Sequence, residues 1–484
     1  MPDYSNAYEP VIGLEVHIQL NTLSKAYDSD STEYGALPNT LVSPITLGHP
    51  GTLPKTNKEV IASAVKIGLA CGCSIREVNE YARKNYFYAD LPKGYQITQH
   101  TTPICSGGSV LIRLNDGTEK TIGLTRIHME EDTGKSIHDL DPFHTLIDLN
   151  RAGVPLLEVV SEPEFRSGEE AYQYLSEIRK LVRYLGISDG NMEEGSLRCD
   201  VNISVRKKGV EKFGTKVEIK NMNSFRNVQR AIDFETRRQI EHIESGGVVL
   251  QETRQFDPSK GQTHVMRIKE DAHDYRYFTE PDLQPVVVSE EYIARIKTEL
   301  PPLPNALYKR YTHDLGLSPY DASLITENKA MALFFEDLLA CDIPAKSAAN
   351  WLMGPVKAYL NEKALDWSDF PLKATTLSAM IGLVEEDTVS HSAAQQRLFP
   401  ALLQSPESPP LALAESLGIL QQKDLGALEL HIQAVLNEWP EKVAEYRAGK
   451  KGLIGLFMGE VMKRTNGSAD PKTTTLLLRD KLDQ

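Results

Sequence analysis

The sequence predicts an α+β protein. A mainly antiparallel sheet with a few helices runs to about residue 293, an all-α stretch follows to about residue 408, and a small helical tail fills residues 409–484. Three observations predict it. Period-two alternation recurs in four separate segments, the mark of strands with one buried face. The helical patterns between them follow no regular strand–helix–strand order, which favours α+β over a doubly wound parallel sheet. Beyond Leu300-Pro-Pro-Leu-Pro304 the strand signals stop, and Ser405-Pro-Glu-Ser-Pro-Pro410 adds a second break of linker composition. A chain of 484 residues is also too long for one hydrophobic core.

The first strand is Val11-Ile-Gly-Leu-Glu-Val-His-Ile-Gln-Leu20, with Ile12, Leu14, Val16, Ile18 and Leu20 apolar and Glu15, His17 and Gln19 between them. Side chains two apart share a face, so Glu15 and His17 stand about 6–7 Å apart along the strand. A carboxylate beside an imidazole suits a divalent metal or a phosphate. The plain alternative is a solvated sheet face. A turn-rich loop, residues 21–57, then leads to Asn57, the N-cap of a helix through Val60, Ala64, Ile67 and Leu69 that stops near Gly72. Cys71-Gly-Cys73 has the spacing of metal ligands, but no second close pair accompanies it, so no metal is expected there.

Residues 81–100 are rich in Tyr and Phe interleaved with Lys and Arg. Such a segment suits stacking on a base, and equally suits closing a core. Leu124–Asp132 is the second strand, with Thr125, Ile127 and Met129 on one face and Arg126, His128 and Glu130 on the other. In Leu197–Arg206, Leu197, Cys199, Val201, Ile203 and Val205 alternate with Arg198, Asp200, Asn202, Ser204 and Arg206. In Lys216–Lys220, Val217 and Ile219 point inward and Lys216, Glu218 and Lys220 outward. Between these strands, Ser167-Gly-Glu-Glu170 has capping-box spacing and opens a helix with the stripe Tyr174, Ile178, Leu181 and Leu185, ended by Gly186. A second helix runs from Asn223/Ser224 through Val228, Ala231 and Glu235 to Gly246-Gly247. Near the end, Gly455 and Gly459 would let another helix approach closely if their segment is helical.

Composition narrows the function. Apolar residues are 41% and charged residues 25%, the profile of a globular protein. No apolar run reaches 18 residues, so no membrane span is expected, and Met-Pro-Asp-Tyr-Ser-Asn lacks the features of a signal peptide. Five irregularly spaced cysteines fit reduced thiols in a cytoplasm. The net charge of −14 argues against a general nucleic-acid coat, although residues 441–484 carry nine Lys/Arg against six Asp/Glu and could hold RNA locally. Phosphate-loop, dinucleotide, zincin and serine-hydrolase motifs are absent; the nearest approach, Gly209-Val-Glu-Lys-Phe-Gly214-Thr-Lys216, misplaces its lysine and lies between strands. What remains is carboxylates and a histidine on a sheet face, which match Mg²⁺-assisted phosphoryl transfer better than a covalent nucleophile.

Ordered motifs then carry a resemblance. They are Gly13-Leu-Glu-Val-His17, Leu47-Gly-His-Pro-Gly51, Arg83-Lys-Asn-Tyr-Phe-Tyr88, Asp90-Leu-Pro-Lys-Gly-Tyr-Gln96, His128-Met-Glu-Glu-Asp132 and Asn150-Arg-Ala-Gly-Val-Pro155. Val160-Ser-Glu-Pro163, Ser196-Leu-Arg-Cys-Asp-Val-Asn202, Lys220-Asn-Met-Asn-Ser-Phe-Arg226, Asp274-Tyr-Arg-Tyr-Phe278 and Gly459-Glu-Val-Met-Lys463 continue the series. Over almost its whole length the chain resembles the B-subunit family of the tRNA-dependent amidotransferases, which convert Glu-tRNA(Gln) or Asp-tRNA(Asn) to the amide.

The resemblance implies a cradle domain over residues 1–293, a helical domain over 294–408 and a tRNA-binding tail over 409–484. It implies that the cradle uses ATP and Mg²⁺ to phosphorylate the side-chain carboxylate of the misacylated residue. Ammonia from an amidase A subunit then displaces the phosphate, and a small C subunit completes a heterotrimer. It implies Glu15, His17 and Glu130 as catalytic and metal-site residues, with Asp200 and Glu218 as further ligands. Arg198, Arg206 and Lys220 become candidates to bind nucleotide or neutralise the acyl phosphate, with ordinary cross-strand ion pairing as the alternative. Lys450, Lys451, Lys463 and Arg464 become candidate tRNA contacts. One departure stands out: where many members carry C-x-C and C-x-x-C zinc ligands, this chain reads Asp28-Ser-Asp30 and Ser43-Pro-Ile-Thr46, so no structural zinc is expected. Thr279 stands where the family usually has proline. A rival reading is a tRNA-binding scaffold whose chemistry resides in a partner.

Overall fold

A computed structural model of the chain describes residues 7–268, 275–421, 425–465 and 469–483. Asp274, the first residue of one family motif, lies outside them. The chain divides into two compact units after Asn305.

The first unit is built on a ten-stranded sheet. Its main strands are β1 (Tyr8–Gln19), β4 (Glu119–Glu131), β5 (Pro155–Ser161), β6 (Leu197–Lys207), β7 (Val217–Lys220), β8 (Glu252–Asp257) and β9 (Gln262–Ile268). The labels β2 (Ala82–Asn85) and β3 (Tyr95–Thr98) belong to a smaller three-stranded sheet completed by Phe278–Thr279. The main order is β9-β8-β7-β6-β1-β5-β4, with short strands beyond β4 and Ser109–Arg113 paired to it. These pairings are antiparallel except β7–β8, so the sheet is mixed but mainly antiparallel, as expected.

The alternating patterns place one face in the core. Leu14, Val16 and Ile18 of β1, Ile127 and Met129 of β4, and Leu197, Cys199, Val201 and Ile203 of β6 are all buried. Against this face lie α1 (Lys58–Ala70), α2 (Gly168–Leu185) and α3 (Phe225–Glu244). Their starts follow the capping residues in the sequence: Asn57, Ser167 and Ser224 each accept a backbone N–H of the first turn. Glu170 completes its cap on the Arg166 N–H at 2.7 Å rather than on that of Ser167. Gly186 ends α2 in the left-handed region, φ 68°, where a Cβ would be strained. The alternation predicted for Leu124–Asp132 breaks at its start. The β5–β4 register shifts between Val160 and Ser161, so Leu124 is buried and Thr125 is exposed.

The expected boundary at residue 293 falls inside the helix Glu290–Glu299, which packs on α1 with Ile296 buried in the first unit's core. Among its described residues the second unit is helical, with isolated bridge positions at Val389, Leu420 and Ala469. The expected break at 408/409 falls just before a helix. Pro410 occupies the first turn of a helix, Pro410–Ser416, where its missing N–H costs nothing. That helix packs on Ala374–Glu385 with Ala414 buried, and Gln421 N donates to Thr388 O at 2.8 Å, so the bundle continues to residue 421. The tail has its own core of Leu428, Ile432, Val435, Phe457, Val461 and Leu478. Gly455 and Gly459 do lie on a helix, Ile454–Arg464, but a Cβ at either would meet nothing within 4 Å, so no second helix approaches there among the described residues. Among the described residues no helix is long and apolar enough to cross a membrane.

Candidate active site

The uncovered face of the sheet carries the chemistry, and β1 lies at its centre. His17 stands opposite Glu158 of β5 and Arg198 of β6, and Glu15 opposite Asp200. One strand further out, Glu158 faces His128 of β4, and Asn202 of β6 faces Glu218 of β7. Residues directly opposite in a ladder share a face, so four adjacent pairings gather these groups on one surface.

They form two clusters. In the first, His17 Nε2 lies 3.3 Å from Glu130 Oε1 and 3.6 Å from Glu158 Oε2, and His128 Nε2 lies 3.1 Å from the same Glu158 oxygen. In the second, Lys220 Nζ lies 2.5 Å from Asp200 Oδ2 and 3.1 Å from Glu218 Oε1. There Asn202 Nδ2 donates to Glu15 Oε1 at 2.8 Å, and Thr253 Oγ1 donates to Glu218 Oε2 at 2.8 Å.

Burial and charge pull these groups in definite directions. Burial pushes the Glu15 carboxyl up, and the charges of Glu158 and Asp200 add to it, against the Asn202 hydrogen bond. Burial works against an imidazolium at His128, but Glu158 and Glu130 outweigh it and raise the ring to about 9. Glu158 is the reciprocal case: burial opposes its charge, yet His128, His17 and Lys84 hold it well below the usual carboxylate range. Burial likewise opposes the Lys220 ammonium, and Asp200 and Glu218 overcome it.

Both clusters suit a divalent cation. In each triad, His17/Glu130/Glu158 and Glu15/Asp200/Glu218, one ligand atom per residue falls within 4.8 Å of the others. The second is all carboxylate, three anions against the one ammonium of Lys220, which is the donor set of a hard ion such as Mg²⁺. The first mixes two carboxylates with an imidazole, a set that also accepts Mn²⁺.

A cavity of about 930 Å³ opens over this surface, reaching His17, Glu130, Arg198, Asp200 and Lys220 on its floor and Phe87, Tyr88 and Tyr275 at its sides. The small sheet forms one wall through a short hydrogen-bond chain: Gln96 Nε2 donates to Glu131 O at 2.6 Å and Ile97 N to Glu131 Oε1 at 2.7 Å. Lys84 of β2 lies along this wall with its ammonium 4.7 Å from the Tyr275 ring centroid. Arg198 is also present, its Nη2 donating to Asp132 Oδ2 at 2.7 Å.

Of the residues named from the sequence, Glu15, His17, Glu130, Asp200, Glu218, Arg198 and Lys220 converge here. Arg206 does not. It lies six residues beyond Asp200 on β6, where Nε donates to Glu9 Oε1 at 2.7 Å and Nη1 to Glu211 O at 2.8 Å, which is the cross-strand pairing named as its alternative. Glu158 and Lys84 were missed. Glu158 is the lone acid in the apolar strand Pro155-Leu-Leu-Glu-Val-Val-Ser161, on the face opposite the core residues Leu157 and Val159; Lys84 sits in the aromatic segment whose role the sequence left open.

Elsewhere, the loop holding Asp28, Asp30 and Thr46 is organised around Lys25, whose side chain is 0% exposed. Its ammonium donates to Leu41 O at 2.7 Å and to Thr46 Oγ1 at 3.3 Å, and that hydroxyl lies 2.7 Å from Asp28 Oδ2 and 2.8 Å from Asp30 Oδ2. A buried cation thus ties together the Asp28, Asp30 and Thr46 positions. In the tail, Lys450 pairs with Glu445 at 3.0 Å, Lys451 with Asp483 at 2.6 Å and Arg464 with Glu438, while Lys463 is exposed.

A sheet whose open face carries two carboxylate clusters beneath a cavity, followed by a helical unit, defines an acid-lined cleft whose donor groups could hold a divalent ion. Comparison with known proteins makes the class specific. The GatB/GatE catalytic domain matches residues 10–294 and the GatB domain matches residues 333–482, so the chain belongs to the GatB family. It is 50% identical over 476 residues to the B subunit of the aspartyl/glutamyl-tRNA(Asn/Gln) amidotransferase from Chlorobium chlorochromatii (strain CaD3), covering 98% of this chain and 99% of that relative. The B subunit of the same name from Gloeothece citriformis (strain PCC 7424) is 51% identical over 486 residues, with 98% of each chain covered.

Proposed function

We propose that this chain is the carboxylate-activating, ATP-dependent subunit of an aspartyl/glutamyl-tRNA amidotransferase, a carbon–nitrogen ligase acting in the cytoplasm on Glu-tRNA(Gln), Asp-tRNA(Asn) or both. The observation that carries this reading is the pair of clusters, His17/Glu130/Glu158 and Glu15/Asp200/Glu218, side by side on one sheet face. The names of the relatives support tRNA amidation, and the geometry supports phosphoryl transfer as its activating step.

A carboxylate is a poor acyl donor because its leaving group would be oxide, and phosphorylation supplies a better one. The carboxylate oxygen of the misacylated residue attacks the γ-phosphorus of ATP and ADP leaves. Ammonia then attacks the acyl carbon, the C–O bond to phosphate breaks, and the amide and inorganic phosphate form once the nitrogen loses its extra proton. When bound, Mg²⁺ offsets the repulsion between the incoming carboxylate and the triphosphate. Glu15, His17, Glu130, Glu158, Asp200 and Glu218 would hold it. Lys220 and Arg198 supply fixed positive charge on the cavity floor for the transferring phosphoryl group. His128 keeps Glu158 ionised and oriented. Ammonia comes from an amidase A subunit, and a small C subunit completes the heterotrimer. The tail, through Lys450, Lys451, Lys463 and Arg464, binds the tRNA body.

The test is trapping. The assembled complex, given Glu-tRNA(Gln), ATP and hydroxylamine without glutamine, should yield γ-glutamyl hydroxamate on the tRNA with stoichiometric phosphate. A scaffold without catalysis of its own would predict that Glu130→Gln leaves this product unchanged.

A further inference from the structure

Residues 81–100 are divided by the fold. Tyr81 is buried, and Tyr95 is half-buried beneath Arg83, whose guanidinium lies 4.0 Å from its ring centroid. Phe87 and Tyr88, by contrast, are 85% and 61% exposed, although their chain neighbours Lys84 and Asn85 line the same cavity. Tyr88 leans on the Tyr86 ring at 4.9 Å between centroids, yet both Phe87 and Tyr88 leave most of their ring surface open beside a polar cavity, which suits an occupant with an apolar face.

We propose that Phe87 and Tyr88 form a stacking platform for the 3′-terminal adenosine of the substrate tRNA. This rests on the reading above, in which a tRNA-borne carboxylate reaches the carboxylate clusters. The tRNA cannot enter a cavity of about 930 Å³, so its last nucleotide must cross the rim while the esterified amino acid extends to the floor. A ring–base contact is sequence-independent, which suits an end shared by all tRNAs. In the same cavity, the Lys84 ammonium, 4.7 Å from the Tyr275 ring centroid, supplies positive charge for the terminal phosphate, and Asn223 offers a side-chain amide for the ribose or base edge. The triphosphate of ATP differs in having no body left outside, so nothing requires its base to rest at the open rim.

The proposal is tested by equilibrium binding of the assembled complex, without ATP, to a tRNA(Gln) transcript and to the same transcript lacking its terminal adenosine. The wild type should favour the complete end by about 10-fold, the range of one base–aromatic contact. Phe87→Ala/Tyr88→Ala should reduce that ratio to near one, and Phe87→Trp should keep it, with glutaminase activity and the KM for ATP unchanged in both. A wild-type ratio near one, or an undiminished ratio in the double variant, overturns the proposal. So does a rise in the KM for ATP, which would assign the rings to the nucleotide. Loss of assembly with the amidase subunit would assign them to a protein interface and overturns it equally. Failure of the phosphorylation reading would appear elsewhere, as wild-type complex that traps no hydroxamate.

Discussion

His17 and Glu158 stand directly opposite one another across the β1–β5 pair, with Nε2 3.6 Å from Oε2. Glu158 also holds His128 at 3.1 Å, so one carboxylate on β5 orients two imidazoles on the strands that flank it, β1 and β4. Replacing it by an isosteric amide removes the charge while keeping the shape. Glu158→Gln should lower ATP-dependent amidation by about 100-fold and raise the Mg²⁺ concentration needed for half-maximal rate, with glutaminase activity retained. A Mg²⁺ titration of the variant complex checks both.

Arg206 and Lys220 make a contrasting pair. Lys220 sits between Asp200 and Glu218 at the cavity floor, whereas Arg206 is committed to Glu9. Lys220→Ala should cost about 100-fold in kcat, the lower range for a group stabilising transition-state charge. Arg206→Ala should leave kcat within about twofold and act on stability alone, by about 1 kcal/mol or less, as for a cross-strand pair near the surface. Steady-state amidation and thermal unfolding of both variants decide this.

The Lys25 network gives a stability prediction. Burial pulls the Lys25 ammonium towards neutrality, and Asp28, Asp30 and Glu131 work to keep it charged. Lys25→Met strands the two aspartates beside an apolar tail, with a cost of about 3 kcal/mol, the range for breaking a buried pair. Unfolding of wild type should be indifferent to a zinc-selective chelator, and Lys25→Met should unfold at lower denaturant concentration. Asp28→Asn, which keeps its hydrogen bonding to Thr46, should cost less.

The strands around β1 were legible because alternation is a strong signal wherever one face is buried, as at Leu197–Val205 and Val217/Ile219. Glu158 was not, because β5 is apolar on both sides of it, and nothing in Pro155-Leu-Leu-Glu-Val-Val-Ser161 says which strands flank it. Arg206 was over-read for the related reason that alternation assigns a face and not a position along the strand: at about 3.3 Å per residue, six residues place it about 20 Å from Asp200. The Pro-rich break at residues 405–410 read as a linker, yet Pro410 starts a helix that the bundle then packs. Composition cannot distinguish these two uses of proline.

That packing fixes where the tail should be cut. Removing residues 425–484 spares the Pro410–Ser416 helix and its buried Ala414, whereas removing 411–484 exposes the bundle face beneath it. The shorter deletion should weaken tRNA binding by about 10-fold or more, flatten its salt dependence, and leave the unfolding of the remaining chain unchanged. Filter binding across a salt series, with unfolding of both truncations, checks the account of the tail.

The central claim is that the face around β1 activates a carboxylate. It is tested most directly by measuring ATP-dependent amidation of Glu-tRNA(Gln) and glutamine hydrolysis in the same assembled complexes, wild type against Glu15→Ala and Glu130→Ala. The account predicts that amidation and tRNA-dependent phosphate release vanish in both variants while glutamine hydrolysis largely persists. Full amidation by both variants would contradict it.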